Sequence, residues 1–294
     1  MTAAPLFTIA MVTRNHGHFI RQAIESCLAN ETATFEILVV DDGSDDDTAD
    51  VVQSLSHVPG LRYVNVGKIG LVAARNESLR LARGQFIVCL DSDDILVPTL
   101  LDAYQRLLQD HPTVDVIYGN LVAADAALNR IGEFTYQQVP DYPHSVPTLF
   151  ASNRLPHPGS AARISLVREV GGYRAGTDGA VDYALWLDLA VARARFVHVQ
   201  AHVAFYRRHG TNISGDAVRI ARWDRSVVAS AIERFTDRQL FPALDWTNPP
   251  RATLAATAIG LSRMLETGCD TGMIQDYLCS RTRQPTPALE ESVC

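Results

Sequence analysis

The chain is nearly devoid of lysine. Of its 26 basic residues only Lys68 is a lysine and every other one is arginine, so lysine chemistry has a single candidate. No apolar run reaches 18 residues, which excludes an obvious spanning helix. The five cysteines (Cys27, Cys89, Cys269, Cys279 and Cys294) are odd in number and form no C-x-x-C. That argues against zinc and for a reducing compartment. The sequons at Asn30, Asn76 and Asn212 then carry no meaning, because they need secretion. The opening MTAAPLFTIAMV has no basic leader and reads as a first strand, not a signal peptide. There is no G-x-S-x-G, no G-x-G-x-x-G and no G-x-x-x-x-G-K-[ST]. A serine-nucleophile elbow, a dinucleotide fingerprint and a P-loop are therefore absent. Basic residues are outnumbered, 26 against 33 acidic, giving a net charge of −7. A general nucleic-acid binder would show the opposite balance.

What is present suits a folded chain. At 294 residues, 47% apolar and 20% charged, it can bury a full core. The length fits one large domain, or one domain with an appendage. Leu6–Val12, Phe35–Val40, Leu61–Val66, Gln85–Leu90 and Val114–Tyr118 read as short buried strands. Between them, Gly17–Leu28, the stretch after DDGSDDDT, Gly70–Arg83 and Ile95–Gln109 carry helical spacing. Ser44 or Asp45 would cap the second of these, Gly84 would end the third, and Pro98 would sit in the first turn of the fourth. Repeated strand–helix units predict an α/β fold, a mainly parallel sheet flanked by helices. Such sheets bind ligands at the carboxyl ends of their strands.

Beyond Gly119 the pattern loosens. Tyr136–Pro158 holds five prolines and reads as loop. Ala180–Arg193 suits a helix, and Arg195–Val199 and His202–Tyr206 suit two short strands. After Gly215 the character is helical, over Ala217–Arg238, Arg251–Glu266 and Met273–Arg281. The expected division is a sheet domain over 1–215, with halves 1–119 and 120–215, and a helical extension over 216–294. The last two helices read as a hairpin that must cover its apolar face. A packing role within the chain, a homodimer contact and a peripheral membrane contact are the three uses. The few basic residues there weigh against the membrane.

The strongest chemical signal is Asp91-Ser92-Asp93-Asp94. Three carboxylates within four residues repel one another, and a cation would relieve that. Hard oxygen ligands suit magnesium or manganese, which take one or two carboxylates plus substrate phosphates. A solvated turn is the plain alternative. Asp41-Asp42-Gly43 also follows a strand, where a carboxylate can accept from a base N–H. Lys68, Gly70, Arg75 and Asn76 gather at a helix start, an anion site in itself, and Arg75 suits a phosphate or a surface ion pair. Asp182 could act as a general base, with Asp178 as rival. His157, between two prolines, and His209 stand as a metal or phosphate contact or as idle loop histidines.

Taken in order, FTIAMVTRN, FEILVVDDGSDDDT, GLVAARNESLRLARGQFIVCLDSDD, REVGGYR, VDYALWLDLA and FYRRHGTNIS resemble the family 2 glycosyltransferases of GT-A fold. The resemblance runs over about residues 7–214. It implies a Rossmann-like sheet and a transferase that uses a nucleoside-diphosphate sugar, most readily a UDP-sugar, and inverts the anomeric centre. The nucleotide-sugar pocket would involve Val12, Thr13, Asn15, Asp41, Asp42, Lys68, Gly70, Arg75, Asp91 and Ser92. A divalent cation, Mn2+ or Mg2+, would sit on Asp93, Asp94 and His209, and Asp182 would be the base. The acceptor would be a saccharide or glycoconjugate, and the location cytoplasmic, including the inner membrane face. Two departures stand out. The usual Pro-Thr-Tyr-Asn is Val12-Thr13-Arg14-Asn15, and the usual acid before the base is Val181. A non-catalytic sugar- or nucleotide-binding module and a sugar nucleotidyltransferase are the alternatives. The second would want a glycine-rich basic loop, which Thr13–Gly17 matches poorly.

Overall fold

The computed structural model describes residues 4–31, 33–177, 179–210, 212, 215–269 and 271–282. The first half alternates as the apolar periodicity predicts. Strands β1 (Phe7–Thr13), β2 (Phe35–Asp41), β3 (Leu61–Asn65) and β4 (Phe86–Cys89) alternate with helices α1 (Gly17–Cys27), α2 (Thr48–Ser54) and α3 (Leu71–Leu81). These four strands pair in parallel in the order β3-β2-β1-β4. Their side chains alternate between two covered faces. Ile9, Met11, Ile37, Val39, Phe86 and Val88 face one core with Ile20 and Ile24 of α1. Leu38 and Val40 meet Ala74 of α3 on the other face. Burial on both sides is why these strands are continuously apolar.

Four expectations change here. First, the helix predicted from Ile95 begins later. Ile95–Leu96 is a short strand, β5, and α4 runs over Leu100–Asp110. Pro98 disfavours helix at the residue before it, so the chain stays extended through Val97. Second, α2 is not capped by Ser44 or Asp45. Its N-cap is Asp47, without a side-chain hydrogen bond, while Asp46 accepts from the Thr48 amide. Third, Tyr136–Pro158 is not all loop, since α5 (Ser145–Ala151) lies within it. The fourth is Gly84, which does not form a left-handed helix stop. A Cβ there would lie 2.6 Å from the Thr8 amide, so close strand approach explains the glycine.

The second half completes one nine-stranded sheet. It contains β6 (Val116–Ala124), β7 (Arg130–Phe134), β8 (Ala161–Arg163) and β9 (Phe196–Arg207), with α6 (Ile164–Glu169) and α7 (Val181–Val191). Strand β8 is antiparallel to both β4 and β6 and joins the two halves. Strand β9 replaces the two short strands expected. It runs parallel to β6, with register shifts around Gly119, where a Cβ would lie 2.6 Å from the Ala201 carbonyl.

Helix α7 is buried on every side, so it shows no amphipathic stripe. Its buried Asp188 pairs with Arg174 and, at 3.0 Å, with Arg234. Arg234 belongs to α8 (Ala217–Arg234), which is followed by α9 (Asp237–Leu240), α10 (Pro249–Glu266) and α11 (Thr271–Thr282). Val227, Ala231, Phe241, Ala256, Met264 and Tyr277 join the same core as Trp186 and Tyr118. The helices after residue 215 thus share a core with α7 and the second half of the sheet. Among the described residues, Cys27, Cys89 and Cys269 are free thiols, and no helix is long and apolar enough to cross a membrane.

Candidate active site

The carboxyl ends of β1, β2 and β4 open into a cavity of about 930 Å³. Val12, Thr13, Asp42, Gly70, Arg75, Asp91, Ser92, Asp93, Asp182 and His209 all line it. The tertiary fold therefore brings most of the predicted residues to one place.

The nucleotide side is built from loops. Asp42 Oδ1 accepts from the amides of Ile69 and Gly70, at 2.7 and 2.8 Å. That fixes the loop into α3, where Gly70 takes a φ of +90° that an L side chain rarely adopts. The Thr13 hydroxyl is buried without a protein partner. Three of the residues predicted for the nucleotide-sugar pocket do not line the cavity. Asp41 is buried with both oxygens engaged, by Ser44 and by the Tyr63 hydroxyl at 2.6 Å. Asn15, left-handed at φ 57°, accepts from the Asp45 amide and braces the two loops. Lys68 is exposed and pairs with Asp45 at 2.7 Å.

At the centre, Asp91 is held from two sides. Arg75 donates to one oxygen at 3.2 Å and His157 Nδ1 lies 3.1 Å from the other. Burial would raise the Asp91 carboxyl, but His157, Arg75 and His16 together hold it well below the usual carboxylate range. Burial and Arg75 act to lower His157. The facing Asp91, with Cys89, outweighs them and raises the imidazole to about 10. Ser92 meets His16 Nδ1 at 2.7 Å.

Asp93 and Asp94 point apart. Asp93 Oδ2 lies 2.9 Å from His209 Nε2, and both residues line the cavity. Asp94, expected at the metal, is buried behind them and does not line it. Its Oδ1 accepts from the Arg207 amide at 2.8 Å, and its Oδ2 has no partner. Burial, then Asp93 and Asp91, raises its carboxyl well above the usual range. Arg207 Nε donates to the Asp93 carbonyl at 2.7 Å.

No three His, Cys, Asp or Glu side chains form a ready metal cage among the described residues. Asp93 with His209 nevertheless fits a divalent ion. Neighbouring ligands at about 2.1 Å from a hexacoordinate cation stand roughly 3 Å apart, close to the separation here. A two-ligand site leaves positions open for substrate oxygens and water.

Asp182 lies in the first turn of α7, and Asn153 Nδ2 donates to its Oδ2 at 3.2 Å. Val181, where the resemblance leads one to expect an acid, is buried. Asp178 lies outside the described residues. Asn153, Tyr136, Arg208 and Asn212 also line the cavity, and sequence reasoning missed them. They sit in irregular or edge segments that carry no periodic signal. His157, which also lines the cavity, differs from them in carrying a local signal, its two flanking prolines.

A family model described as glycosyl transferase family 2 matches residues 8–152. An uncharacterized protein of Mycobacterium tuberculosis (strain CDC 1551 / Oshkosh) is 30% identical over 222 residues, covering 70% of this chain and 68% of that protein. A Pasteurella multocida hyaluronan synthase is 24% identical over 229 residues, which are 77% of this chain but 23% of the synthase. An Escherichia coli chondroitin synthase is 34% identical over 99 residues, 33% of this chain and 14% of the synthase. The chain thus spans under a quarter of either named synthase. Among solved structures, S. aureus TarS 1-349 in complex with UDP-GlcNAc has a TM-score of 0.65 at 16% identity, covering 93% of this chain and 92% of that one. The mannosyltransferase PcManGT from Pyrobaculum calidifontis, solved with GDP-Man and Mn2+, has a TM-score of 0.61 at 19% identity, covering 96% and 87%. These two share the fold. On its matching family model and its relatives, this chain belongs to glycosyltransferase family 2 and is a glycosyltransferase.

Proposed function

We propose a metal-dependent, inverting glycosyltransferase. It moves a sugar from a nucleoside-diphosphate donor, a UDP-sugar first, to a saccharide or glycoconjugate hydroxyl in bacterial polymer or conjugate synthesis. The observation that carries this reading is one cavity that holds the Asp93–His209 pair, the Arg75–Asp91–His157 cluster and Asp182 together. The UDP-GlcNAc bound to TarS favours a UDP donor, and the GDP-Man of PcManGT names the competitor.

In this reading Thr13 and Asp42 hold the nucleoside. Asp42 has one oxygen committed to the Ile69–Gly70 amides and offers the other to a base N–H. Arg75 meets the diphosphate by charge-assisted hydrogen bonds. Asp91 is fixed and ionised by its two cationic neighbours and orients the donor. Asp93 and His209 would hold the divalent ion, which would supply positive charge against the charge growing on the departing diphosphate. Asp182 accepts the proton of the acceptor hydroxyl as its oxygen attacks the anomeric carbon. Attack comes from the side opposite the leaving group, so configuration inverts. Asn153 keeps one Asp182 oxygen in place and leaves the other for the proton. General-base catalysis supplies about 10²–10⁴-fold, and positioning of both substrates supplies much of the rest.

The test is a donor-hydrolysis screen across common UDP- and GDP-sugars, with and without Mn2+. One donor should release its diphosphate in a cation-dependent way, and proton NMR of a transfer product should show the inverted anomer. Failure to bind or hydrolyse any nucleotide sugar would overturn the reading.

A further inference from the structure

The cavity lining combines two kinds of group. Some are charged, Arg75, Asp91 and Asp93 among them. Others are aromatic rings, Phe134 at the end of β7, Tyr136 just beyond it and Tyr206 near the end of β9. Strand β6 brings them together, since Leu121 faces Phe134 in the register and Ala123 faces Tyr206. The Phe134 and Tyr206 rings meet nearly edge to face, 5.8 Å apart at 81°. Phe134 is 40% exposed, so part of this residue stays open to solvent.

Asp182 lies within reach of both kinds. It is near enough to Arg75 to act on that charge, and near enough to Tyr136 to add to the upward push that burial gives the phenol. A hydroxyl placed at Asp182 therefore belongs to a molecule that extends over the aromatic wall. The wall is not purely carbon. Two of its rings carry hydroxyls, and Asn153 and Arg208 add polar groups to the same cavity. An alkyl chain would need only the carbon. A pyranose presents a C–H face with a rim of hydroxyls, and it uses both.

Resting on the transferase reading above, we infer that Phe134, Tyr136 and Tyr206 form the acceptor subsite. The acceptor is a saccharide whose pyranose ring lays its C–H face on these rings and directs the attacking hydroxyl at Asp182. Aromatic contacts of this kind add to simple area burial and depend on a flat ring. A branched aliphatic side chain of similar bulk does not replace them.

The experiment is saturation-transfer NMR on the full-length protein without donor. The probes are methyl hexopyranosides, methyl N-acetylhexosaminides and their disaccharides, with octanol and dodecyl phosphate as lipid-type probes. The expected result is binding of one saccharide class, with saturation concentrated on the C–H protons of one ring face. Affinity should fall about tenfold in Tyr206→Leu and in Phe134→Leu, and by only a few-fold in Tyr206→Phe, which keeps the ring and loses one hydroxyl. Phe134 is exposed enough that its leucine variant will fold, which melting will verify. Saccharide binding that ignores both leucine substitutions would overturn the inference. So would saccharides that fail to bind while the lipid-type probes bind. Donor hydrolysis by the wild type, measured separately, tests the transferase reading alone.

Discussion

Arg207 donates from Nε to the backbone carbonyl of Asp93, across 114 residues of sequence, at 2.7 Å. Its own amide donates to Asp94 Oδ1, and its other guanidinium nitrogens reach the Ala126 carbonyl and Gln22 Oε1, each at 2.8 Å. The guanidinium also stacks 4.6 Å over the Phe19 ring. One buried arginine thus clamps the acidic turn after β4 to the end of β9. It aims Asp93 at the cavity and turns Asp94 away. In Arg207→Met the buried Asp93 carbonyl loses its donor, as do the more exposed Ala126 carbonyl and Gln22. We expect about 1–3 kcal/mol of lost stability in urea and at least tenfold weaker manganese-dependent UDP binding by calorimetry. Wild-type affinity in a folded R207M protein would show that the turn aims itself.

Asp93→Asn removes the carboxylate that faces His209. The side chain sits at the cavity wall, so the fold should survive with an unchanged circular dichroism spectrum. Divalent-dependent binding of a nucleoside diphosphate should disappear. Unchanged manganese affinity would sink the assignment of Asp93 and His209.

Asp182→Asn keeps the shape and removes the base. Donor affinity should remain nearly intact while turnover drops by about 10²–10⁴-fold. Asn153→Ala should lower turnover less, because it loosens Asp182 without deleting it. If turnover in D182N stays within a few-fold of wild type, another residue takes the proton.

The His157–Asp91 pair makes stability depend on pH. The folded state raises His157 from 6.5 to about 10. Its charged form binds Asp91, so this contribution is full below about 6.5 and is lost as pH rises through about 10. Wild-type melting temperature should therefore fall over that window more steeply than that of His157→Gln. Parallel curves for the two proteins would rule the coupling out.

Removing residues 251–294 should give an unstable or insoluble protein. Ala256, Met264 and Tyr277 belong to the core that includes Trp186 and Phe241, and Arg263 Nε donates to the Phe150 carbonyl at 3.3 Å. Truncation would expose that surface. A soluble and active truncation, checked by size-exclusion chromatography and donor hydrolysis, would instead reassign these helices to a partner or membrane role.

The parallel half of the sheet is legible because both faces of β1, β2 and β4 are covered, which forces an apolar run at each strand. Helix α1 reads well because only one side of it is buried. Strand β8 has three residues and is held by neighbours from distant parts of the chain, so nothing local marks it. Strand β7 is exposed along its length and lacks an apolar pattern. Asn153 and His157 lie in irregular chain, and each gains its role only from a partner at Asp182 or Asp91.

Local chemistry alone placed the acidic turns after buried strands, and the parallel topology put those turns on one rim. Which carboxylate of Asp91-Ser92-Asp93-Asp94 meets His209 and which is buried is another matter. Consecutive side chains in a turn diverge, and the clamp that chooses between them, Arg207, arrives from β9. The same holds for the covering of the late helices. Their apolar spacing shows that they must pack, but only the assembled core selects α7 and its neighbours as the surface that receives them. Burial is a property of what lies opposite, and what lies opposite is decided by the whole fold.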